Sequence, residues 1–275
     1  MKIITSADNT VFKHALKLVT QPRERKKAQQ TVLDGEHLIS ALCSAGYVPD
    51  VVFVLEKYLE DARITGIFKV LFSKNFNQNG LIVINAQLMR QLSALDSPAT
   101  MVAVIALPEN AAMPSGQADV IALENLQDPG NMGSVLRTAA AAGFAHVVCS
   151  PDCVAAWSPK VLRAAQGAHF NLKITEQVDL TQFVGRAPQI SYGLALQAIT
   201  NLYDCNFNTP SIVLIGNEGA GLSQALLEVI KQPVRIPMPG AVESLNAAAA
   251  AAICLFEVVR QRQPHLLLKP TKPLK

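Results

Sequence analysis

The stretch Val120–Phe144 constrains the fold of this chain more than any other part of its sequence. It begins with an apolar run, Val120–Leu123, whose length suits a buried β-strand. A polar segment with a D-P-G turn follows, and Asn131 is then placed to cap a helix that stops at Gly143. A strand, a polar loop and a helix in this order predict a ligand-binding edge in an α/β sheet.

Two later stretches repeat this order of elements. The first has a strand at Ile212–Ile215, a glycine-rich loop at Gly216–Gly221 and a helix. The second has a strand ending at Met238, a Pro-Gly loop and an alanine-rich helix for which Ser244 is the expected cap. Because such strands end at one edge of an α/β sheet, the polar residues that follow them are expected to gather there. These residues are Asn125, Asn131, Arg137, Glu218, Ser244 and Asn246.

Taken singly, these residues have ordinary explanations. Asn131 and Ser244 suit helix caps, and Glu218 has no paired acid for hydrolase chemistry. The glycine loop lacks G-x-G-x-x-G order and is not followed by a P-loop lysine, which weakens a nucleotide-phosphate interpretation. Taken together, neutral amides, a hydroxyl, one Arg and one Glu suit a site that orients a sugar hydroxyl.

Charge and cysteine content bound the possible partners and compartment. Residues 1–30 carry seven Lys or Arg against two acidic residues, whereas the whole chain has a net charge of only +3. This local excess suggests a polyanion partner, although a solvated helical face would show the same pattern. The five cysteines are scattered and odd in number, which argues against a disulfide framework. The C-x3-C pair Cys149 and Cys153 lacks matching zinc ligands, which argues against a zinc site.

Hydrophobic runs indicate a soluble protein of a reducing, cytoplasmic compartment. The first residues contain no sustained apolar core of the signal-peptide kind. The longest apolar run, Ala247–Phe256, is too short to cross a bilayer. We therefore expect neither a membrane partner nor a bound metal.

Composition divides the chain into a small α/β domain at residues 1–108, a linker at 109–118 and a second domain at 119–275. In the first domain, Q-P-R-E-R-K-K breaks an initial helix, and a second helix stops at Gly46. Short apolar runs predict its strands. They are Val51–Leu55, Lys69–Phe72, Leu81–Ile84 and Met101–Leu107.

Three motifs carry a family resemblance. They are N-L-Q-D-P-G-N-M-G-S-V-L-R-T-A, I-G-N-E-G-A-G-L-S and I-P-M-P-G-A-V-E-S-L-N-A-A. In this order they resemble the signature motifs of the SpoU (TrmH-like) RNA 2′-O-ribose methyltransferases of the SPOUT superfamily, over roughly residues 119–262. The segment around S-P-K-V-L-R-A-A-Q-G-A-H-F also resembles that family. The first domain is similar, more loosely, to the family's RNA substrate-binding domain, which resembles a ribosomal protein.

The resemblance implies an α/β fold whose C-terminal parallel-sheet SPOUT domain contains a deep trefoil knot at roughly residues 190–262. It implies S-adenosylmethionine held by backbone atoms of Gly216, Ile236 and Leu245. It also implies a homodimer in which Arg137 acts in a site completed by the partner chain. The residues at the family's active-site positions are Asn131, Arg137, Glu218, Ser244 and Asn246.

The implied reaction is methyl transfer to a ribose 2′-hydroxyl of RNA, with 23S-type ribosomal RNA favoured over tRNA. Arg137 stands where the family's proposed base lies, but a free guanidinium is essentially always protonated, so we expect it to orient and anchor a phosphate. A base function would require an unusually desolvated arginine. Three alternatives stay open: a tRNA 2′-O-methyltransferase, a non-catalytic RNA-binding factor, and a nucleotide-dependent oxidoreductase on a doubly wound fold.

Overall fold

The structure is a computed structural model and describes residues 2–93 and 99–263. The chain divides into two compact units. The N-terminal unit contains the chain up to Glu109 together with Trp157–Phe170, and the C-terminal unit contains Asn110–Ala156 and the chain from Asn171. Within the described residues, no helix is long and apolar enough to cross a membrane.

The N-terminal unit is built on a five-stranded mixed sheet with the strand order β1-β4-β3-β5-β2. The strands are β1 (Lys2–Ile4), β2 (Gln30–Asp34), β3 (Val51–Leu55), β4 (Leu81–Ile84) and β5 (Met101–Ala106). Strand β5 runs antiparallel to both β2 and β3, and the other pairs are parallel. Its helices are α1 (Thr10–Thr20), α2 (Pro22–Ala28), α3 (Glu36–Ser44), α4 (Ala62–Ser73), α5 (Ala86–Leu92) and α7 (Pro159–Ala165).

Alternation along the strands gives this sheet two apolar faces. In β3, Val54 packs into a cluster with α3 and α4, and Phe53 packs into a second cluster with α1 and α5. Phe12 of α1 meets Phe53 edge-on with ring centroids 6.3 Å apart. Leu162 of α7 is fully buried in the first cluster. The segment 157–170, which the sequence-predicted limits assign to the second domain, therefore supplies core to the N-terminal unit.

The structure contradicts one expectation for this unit and confirms the others compared here, with one addition. The run Lys69–Phe72 lies inside α4 and is not a strand, because its apolar residues belong to a helical face. The segment Q-P-R-E-R-K-K does end α1, but Pro22 then occupies the first position of a further helix, α2. The strands at Val51–Leu55 and Leu81–Ile84 are confirmed. Gly46 follows α3 with φ of 92°, which suits a glycine stop.

The C-terminal unit is built on a seven-stranded, all-parallel sheet with the order β10-β12-β9-β11-β6-β7-β8. The strands are β6 (Val120–Leu123), β7 (His146–Cys149), β8 (Lys173–Thr175), β9 (Ile190–Leu194), β10 (Thr200–Asn201), β11 (Ser211–Ile215) and β12 (Gln232–Arg235). The helices are α6 (Pro129–Ala141), α8 (Leu180–Arg186), α9 (Gln224–Val229) and α10 (Ala247–Arg262). The α/β class and the parallel sheet predicted from the sequence are confirmed.

Later strands of this sheet are inserted between earlier ones. Strand β11 lies between β6 and β9, so that Val213 pairs with Ile121 on one side and Tyr192 on the other. Strand β12 lies between β9 and β10, which are consecutive in the chain. Because all strands are parallel, the carboxyl ends of β6, β9, β11 and β12 meet at one edge of the sheet, and the loops that leave them form the candidate site.

The two helices that begin at this edge have different caps from those expected. Asp128, not Asn131, caps α6, and its Oδ1 accepts the backbone N–H of Asn131 at 2.7 Å. Asn246, not Ser244, caps α10, and its Oδ1 accepts the N–H groups of the second and third helical residues at 2.9 and 3.2 Å. The stop at Gly143 is confirmed, with φ of 80°.

Three smaller expectations can also be compared with the structure. The sequence S-P-K-V-L predicts a helix that Ser158 caps and Pro159 begins, and the structure confirms both positions in α7. The strand predicted to end at Met238 ends earlier, at Arg235. The sequence after Arg262 has three prolines and no helical period, which predicts an irregular tail, and apart from Gln263 this tail lies outside the described residues.

The end of α10 is fastened to the start of the parallel sheet. The Arg262 guanidinium pairs with the Asp119 carboxylate and donates to the carbonyl oxygens of Phe207 and Thr209. Gln261 Nε2 donates to the carbonyl of Cys205 at 2.9 Å. The alanine-rich helix is therefore held at both ends, by its Asn246 cap and by this clasp.

Candidate functional site

A cavity of about 320 Å³ opens at the carboxyl edge of the parallel sheet, where β9, β11 and β12 end. Its wall is mostly backbone and aliphatic side chain, which is typical of small-molecule sites. The three residues expected to bind a cofactor all line it, and so do two of the expected active-site residues. These five are Gly216, Glu218, Ile236, Ser244 and Leu245.

The loop Gly216–Gly221 closes on itself beside this cavity. Asn217 and Gly221 exchange two backbone hydrogen bonds, each 3.0 Å long. A Cβ atom on Gly216 would lie 2.2 Å from the carbonyl carbon of Gly221 and 2.4 Å from the nitrogen of Leu222. The loop can close this tightly only because residue 216 has no side chain.

A chain of polar side chains runs from the cavity wall to the starts of α6 and α10. Glu218 Oε1 accepts the backbone N–H of Asp128 at 2.9 Å and the Asn131 side-chain amide at 3.1 Å. Its Oε2 accepts the N–H of Gln127 at 3.3 Å. Asn131 Oδ1 in turn accepts from Asn246 Nδ2 at 2.8 Å. Residues from all three sequence motifs are thus joined in one network.

The orientation of both amides follows from their partners. Asn246 must turn its oxygen to α10, because the capped groups there are N–H donors, so its nitrogen faces Asn131. A carboxylate is acceptor-only, so Asn131 must turn its nitrogen to Glu218. Every donor therefore meets an acceptor, and each amide keeps a second N–H hydrogen outside the network.

The charge of Glu218 is maintained by this arrangement. Burial by itself raises the pKa of the carboxyl group, but the hydrogen bonds from Asp128 N–H, the Asn131 amide and Gln127 N–H outweigh it, and the net pKa is lowered. Glu218 is consequently ionised at neutral pH. Since its oxygens already accept three hydrogen bonds, the structure favours a role in holding the loop before α6 over proton abstraction.

Arg137 stands apart from the network. It lies six residues beyond Asn131 on α6, which rotates it about 120° around the helix axis. Its side chain is exposed, and in the part of the chain that the structure describes it makes no hydrogen bond or ion pair. Ser244 is also exposed, on the loop that leads into α10. The structure thus brings Asn131, Glu218 and Asn246 into direct contact, places Ser244 in the cavity wall and leaves the Arg137 guanidinium free.

Several residues that organise the site are not in the sequence-predicted set. Asn217 folds the glycine loop, since its Oδ1 accepts the N–H groups of Gly219 and Ala220 at 2.9 and 3.0 Å. Glu124 accepts both the N–H and the hydroxyl of Ser223, at 2.7 and 2.6 Å. The D-P dipeptide before α6 was the available signal for the Asp128 cap, because Pro favours the first helical position. No sequence pattern indicated the contacts of Asn217 or of Glu124.

The described residues contain no group of three His, Cys, Asp or Glu side chains that could hold a metal ion. The strand order also differs from the 3-2-1-4-5-6 order of dinucleotide-binding folds. The fold and the site therefore define a parallel α/β protein with interleaved strands, in which a ligand cavity adjoins a network of amides and one carboxylate.

Comparison with known sequences identifies the family. The SpoU rRNA Methylase family matches residues 119–256, and the chain belongs to this family. The resemblance seen in the three motifs is thereby confirmed. The match includes residues 157–170, which in this structure form part of the N-terminal unit.

Individual relatives match either nearly all of the chain or about half of it. It is 32% identical over 262 residues to the 23S rRNA (guanosine(2553)-2′-O)-methyltransferase RlmP of Bacillus subtilis, covering 94% of this chain and 99% of that protein. It is 37% identical over 150 residues to the 23S rRNA (guanosine-2′-O-)-methyltransferase RlmB of Xylella fastidiosa, covering 54% of this chain and 60% of that protein. The crystal structure of an RNA 2′-O ribose methyltransferase superposes with a TM-score of 0.80 at 27% identity, covering 94% of this chain and 98% of the other.

Proposed function

We propose that this protein transfers a methyl group from S-adenosylmethionine to a ribose 2′-hydroxyl of ribosomal RNA, of the 23S type. The proposal rests chiefly on the position of Glu218. This residue lines the cavity, and it is also the first member of the polar network that reaches α6 and α10. A small-molecule pocket is thereby joined to a set of fixed amide groups. Relatives named as 23S rRNA 2′-O-methyltransferases support the choice of substrate.

The cavity suits S-adenosylmethionine in size and lining. Its volume of about 320 Å³ lies within the range of small-molecule pockets. Gly216, Ile236 and Leu245 would hold the cofactor through backbone atoms, and the close approach at Gly216 leaves the cavity wall free of side chain there. The bound cofactor supplies the methyl group. Leu245 and Leu196, both partly exposed in the cavity wall, would exclude water around it.

The amides supply orientation at the reacting sugar. Asn131 and Asn246 are each fixed by hydrogen bonds at two atoms, and each has one N–H hydrogen left for an oxygen of the substrate. The Ser244 hydroxyl lies in the same cavity wall as Glu218. Groups held in this way cost little ordering when the ribose binds, and alignment of the reacting atoms accounts for a large share of the rate.

Arg137 has a different role, which follows from its exposure. A guanidinium presents its N–H donors in a planar fork that suits a phosphate, so we assign Arg137 to anchoring an RNA phosphate and orienting the nucleotide. Because it points away from Asn131 on α6, we place it in a site completed by the partner of a homodimer.

The N-terminal unit docks the RNA backbone. Its first two helices carry exposed basic side chains, and phosphate contacts of this kind dominate affinity for RNA. The side chains are Lys13, Lys17, Arg23, Lys26 and Lys27. We propose residues 1–108 for substrate binding, 109–118 as the linker and 119–275 for catalysis, and we expect an enzyme that acts on ribosomal RNA to work in the cytoplasm.

A trefoil knot at roughly residues 190–262 forms part of the proposal. The connection from β9 to β10 passes the position that β12 later occupies between them. A knot requires a later segment of the chain, here β12, to pass through the loop formed by an earlier connection, here the one from β9 to β10. Ordinary topology rules make such threading rare, so this order of strands supports the family's knotted fold.

Methyl transfer from labelled S-adenosylmethionine is the test of the function. Purified protein is incubated with 23S rRNA, 16S rRNA and tRNA transcripts, and with 50S and 30S subunits. We expect label in 23S rRNA, and nucleotide-resolution mapping should then find a single 2′-O-methylated residue. Label confined to tRNA would show that the substrate is tRNA and not ribosomal RNA. Tight binding of cofactor and RNA without methyl transfer would identify a non-catalytic binding factor.

The role of Arg137 is tested with Arg137→Ala. Methyl transfer should fall by a factor of about 100 or more while S-adenosylmethionine binding stays within about threefold, because the cavity wall does not contain this residue. Arg186→Ala, an exposed arginine on α8, serves as the matched control. Full activity in Arg137→Ala would refute the role.

A further inference from the structure

Asn217 touches both walls of the proposed site through different atoms of its side chain. Its Oδ1 accepts the N–H groups of Gly219 and Ala220, which folds the glycine loop at the cavity. Its Nδ2 donates to the backbone carbonyl of Asn125 at 2.8 Å. Asn125 belongs to the loop between β6 and α6, so this one side chain joins the cofactor cavity to the loop that leads to Asn131.

The receiving carbonyl is held in place by unusual backbone geometry. Asn125 has φ of 51°, in the left-handed region that non-glycine residues seldom occupy. Ser150, at the end of β7, holds it there: the Asn125 N–H donates to the Ser150 hydroxyl at 2.9 Å, and that hydroxyl donates to Asn125 Oδ1 at 3.0 Å. The loop before α6 is therefore fixed on one side by Ser150 and on the other by Asn217.

Glu218, the neighbour of Asn217, makes the second connection between the same two loops. Its carboxylate holds the N–H groups of Gln127 and Asp128, and through the amide of Asn131 it reaches α6. Asn217 and Glu218 thus bind one loop at positions 125 and 127–131. Glu218 can accept the N–H groups of Gln127 and Asp128 only if the glycine loop and the loop before α6 keep their present distance. The hydrogen bond from Asn217 to the Asn125 carbonyl fixes that distance.

We propose that Asn217 is a positioning residue that sets the register between the cofactor cavity and the polar network at the ribose. This inference rests on the proposed function and deepens it. The residue touches no reacting atom. It acts through the Asn125 carbonyl and through Glu218, so that a cofactor bound at the Gly216–Gly221 loop and a ribose bound at Asn131 lie at a fixed separation.

The substitution Asn217→Asp separates the two tasks of the side chain. The new carboxylate keeps an acceptor for Gly219 and Ala220, so the turn survives, but it places an oxygen against the Asn125 carbonyl where a donor stood. Asn217→Ala removes both contacts. Asn208→Asp changes an exposed asparagine of the same unit and introduces the same charge, which makes it the matched control.

Each variant is measured for S-adenosylmethionine affinity by calorimetry and for single-turnover methyl transfer at saturating cofactor and RNA. For Asn217→Asp we expect affinity within about threefold of the parent and a rate lower by about 10- to 100-fold, as a displacement of the reacting groups by roughly 1 Å would cause. Asn217→Ala should lose affinity as well. A parent-like rate in Asn217→Asp, or equal losses of affinity and rate, would overturn the proposal.

Hydrogen exchange gives a readout that does not depend on activity. In Asn217→Asp the amides of Gln127 and Asp128 should exchange about tenfold faster than in the parent, while the strands of the sheet keep their protection. Unchanged exchange at these two amides would overturn the positioning role even if the protein methylates RNA. If the parent methylates no RNA but the exchange result holds, the proposed function fails and the coupling of the loops stands.

Discussion

The tight closure at Gly216 predicts that one methyl group will disrupt the cavity loop. In Gly216→Ala the added Cβ would lie 2.2 Å from the carbonyl carbon of Gly221, 2.4 Å from its oxygen and 2.4 Å from the nitrogen of Leu222. All three are backbone atoms, so no side chain can rotate away. The loop must open by about 1 Å to reach ordinary contact distances of ~3.5 Å.

The expected cost follows from the contacts that such an opening would break. Overpacking a well-packed site costs ~1–3 kcal/mol, and the backbone atoms here place Gly216→Ala at the upper end of that range. Opening also breaks the two 3.0 Å hydrogen bonds between Asn217 and Gly221, each worth about 1 kcal/mol. Replacing Gly by Ala also adds roughly 0.4–1 kcal/mol of stability, because the unfolded chain has less conformational entropy to lose. The net loss should be about 4 kcal/mol.

Thermal unfolding measures this loss, and the same loop provides the control. A Cβ on Gly219 would meet only Asn217 Oδ1, at 3.6 Å, so Gly219→Ala adds the same methyl group without a clash. At ~2–4 °C per kcal/mol for a chain of this size, the midpoint for Gly216→Ala should fall by about 10 °C. If Gly216→Ala and Gly219→Ala unfold within about 2 °C of each other, the steric argument is refuted.

Three further predictions concern other groups of the C-terminal unit. Glu218→Gln should destabilise the protein at neutral pH. The difference should be complete above the ordinary carboxyl value of 4.5 and shrink as pH falls below it, because the lowered pKa of Glu218 gives stability that is lost when the carboxylate is protonated; urea midpoints from pH 3 to 8 measure it. Arg262→Ala should lose about 2–3 kcal/mol in urea unfolding, because Asp119 and two carbonyl groups lose their donor, and a loss below ~0.5 kcal/mol would contradict the clasp. Iodoacetamide should label Cys153 with a pH midpoint of about 7, because hydrogen bonds, chiefly from Cys149, lower its pKa despite burial. The control is buried Cys254, whose pKa is raised and which should stay unlabelled in mass spectra of the native protein. A midpoint above about 8.5 for Cys153 would contradict this environment.

The elements that carry the site were largely predictable from sequence because their signals are local. An apolar run of four residues predicts the buried strand Val120–Leu123, and a glycine with a left-handed backbone ends α6 at Gly143. The helix caps were less predictable, because neighbouring residues can all accept a backbone N–H. Pro129 decides for Asp128 over Asn131, since proline starts the helix immediately after it.

Errors arose where a short apolar run fits two periodicities. Lys69–Phe72 is as apolar as a strand, but the amphipathic pattern of α4 extends back to Ile64 and places Leu71 in the core. The order of strands in the parallel sheet was beyond any local signal, because inserting β11 between β6 and β9 leaves each strand's own sequence unchanged. The contacts of Asn217 depend on that order and could not be foreseen for the same reason.

The interleaved sheet also has a consequence for biosynthesis. When residues 1–205 have emerged from the ribosome, strands β6 and β9 are complete, but β11, which separates them in the folded sheet, has not yet emerged. The buried hydrogen-bonding edges of both strands are then open, and open edges of apolar strands pair readily with other chains. The nascent C-terminal unit therefore remains prone to misassembly until residue 235 has emerged, and the rate at which residues 205–235 leave the ribosome sets how long that period lasts.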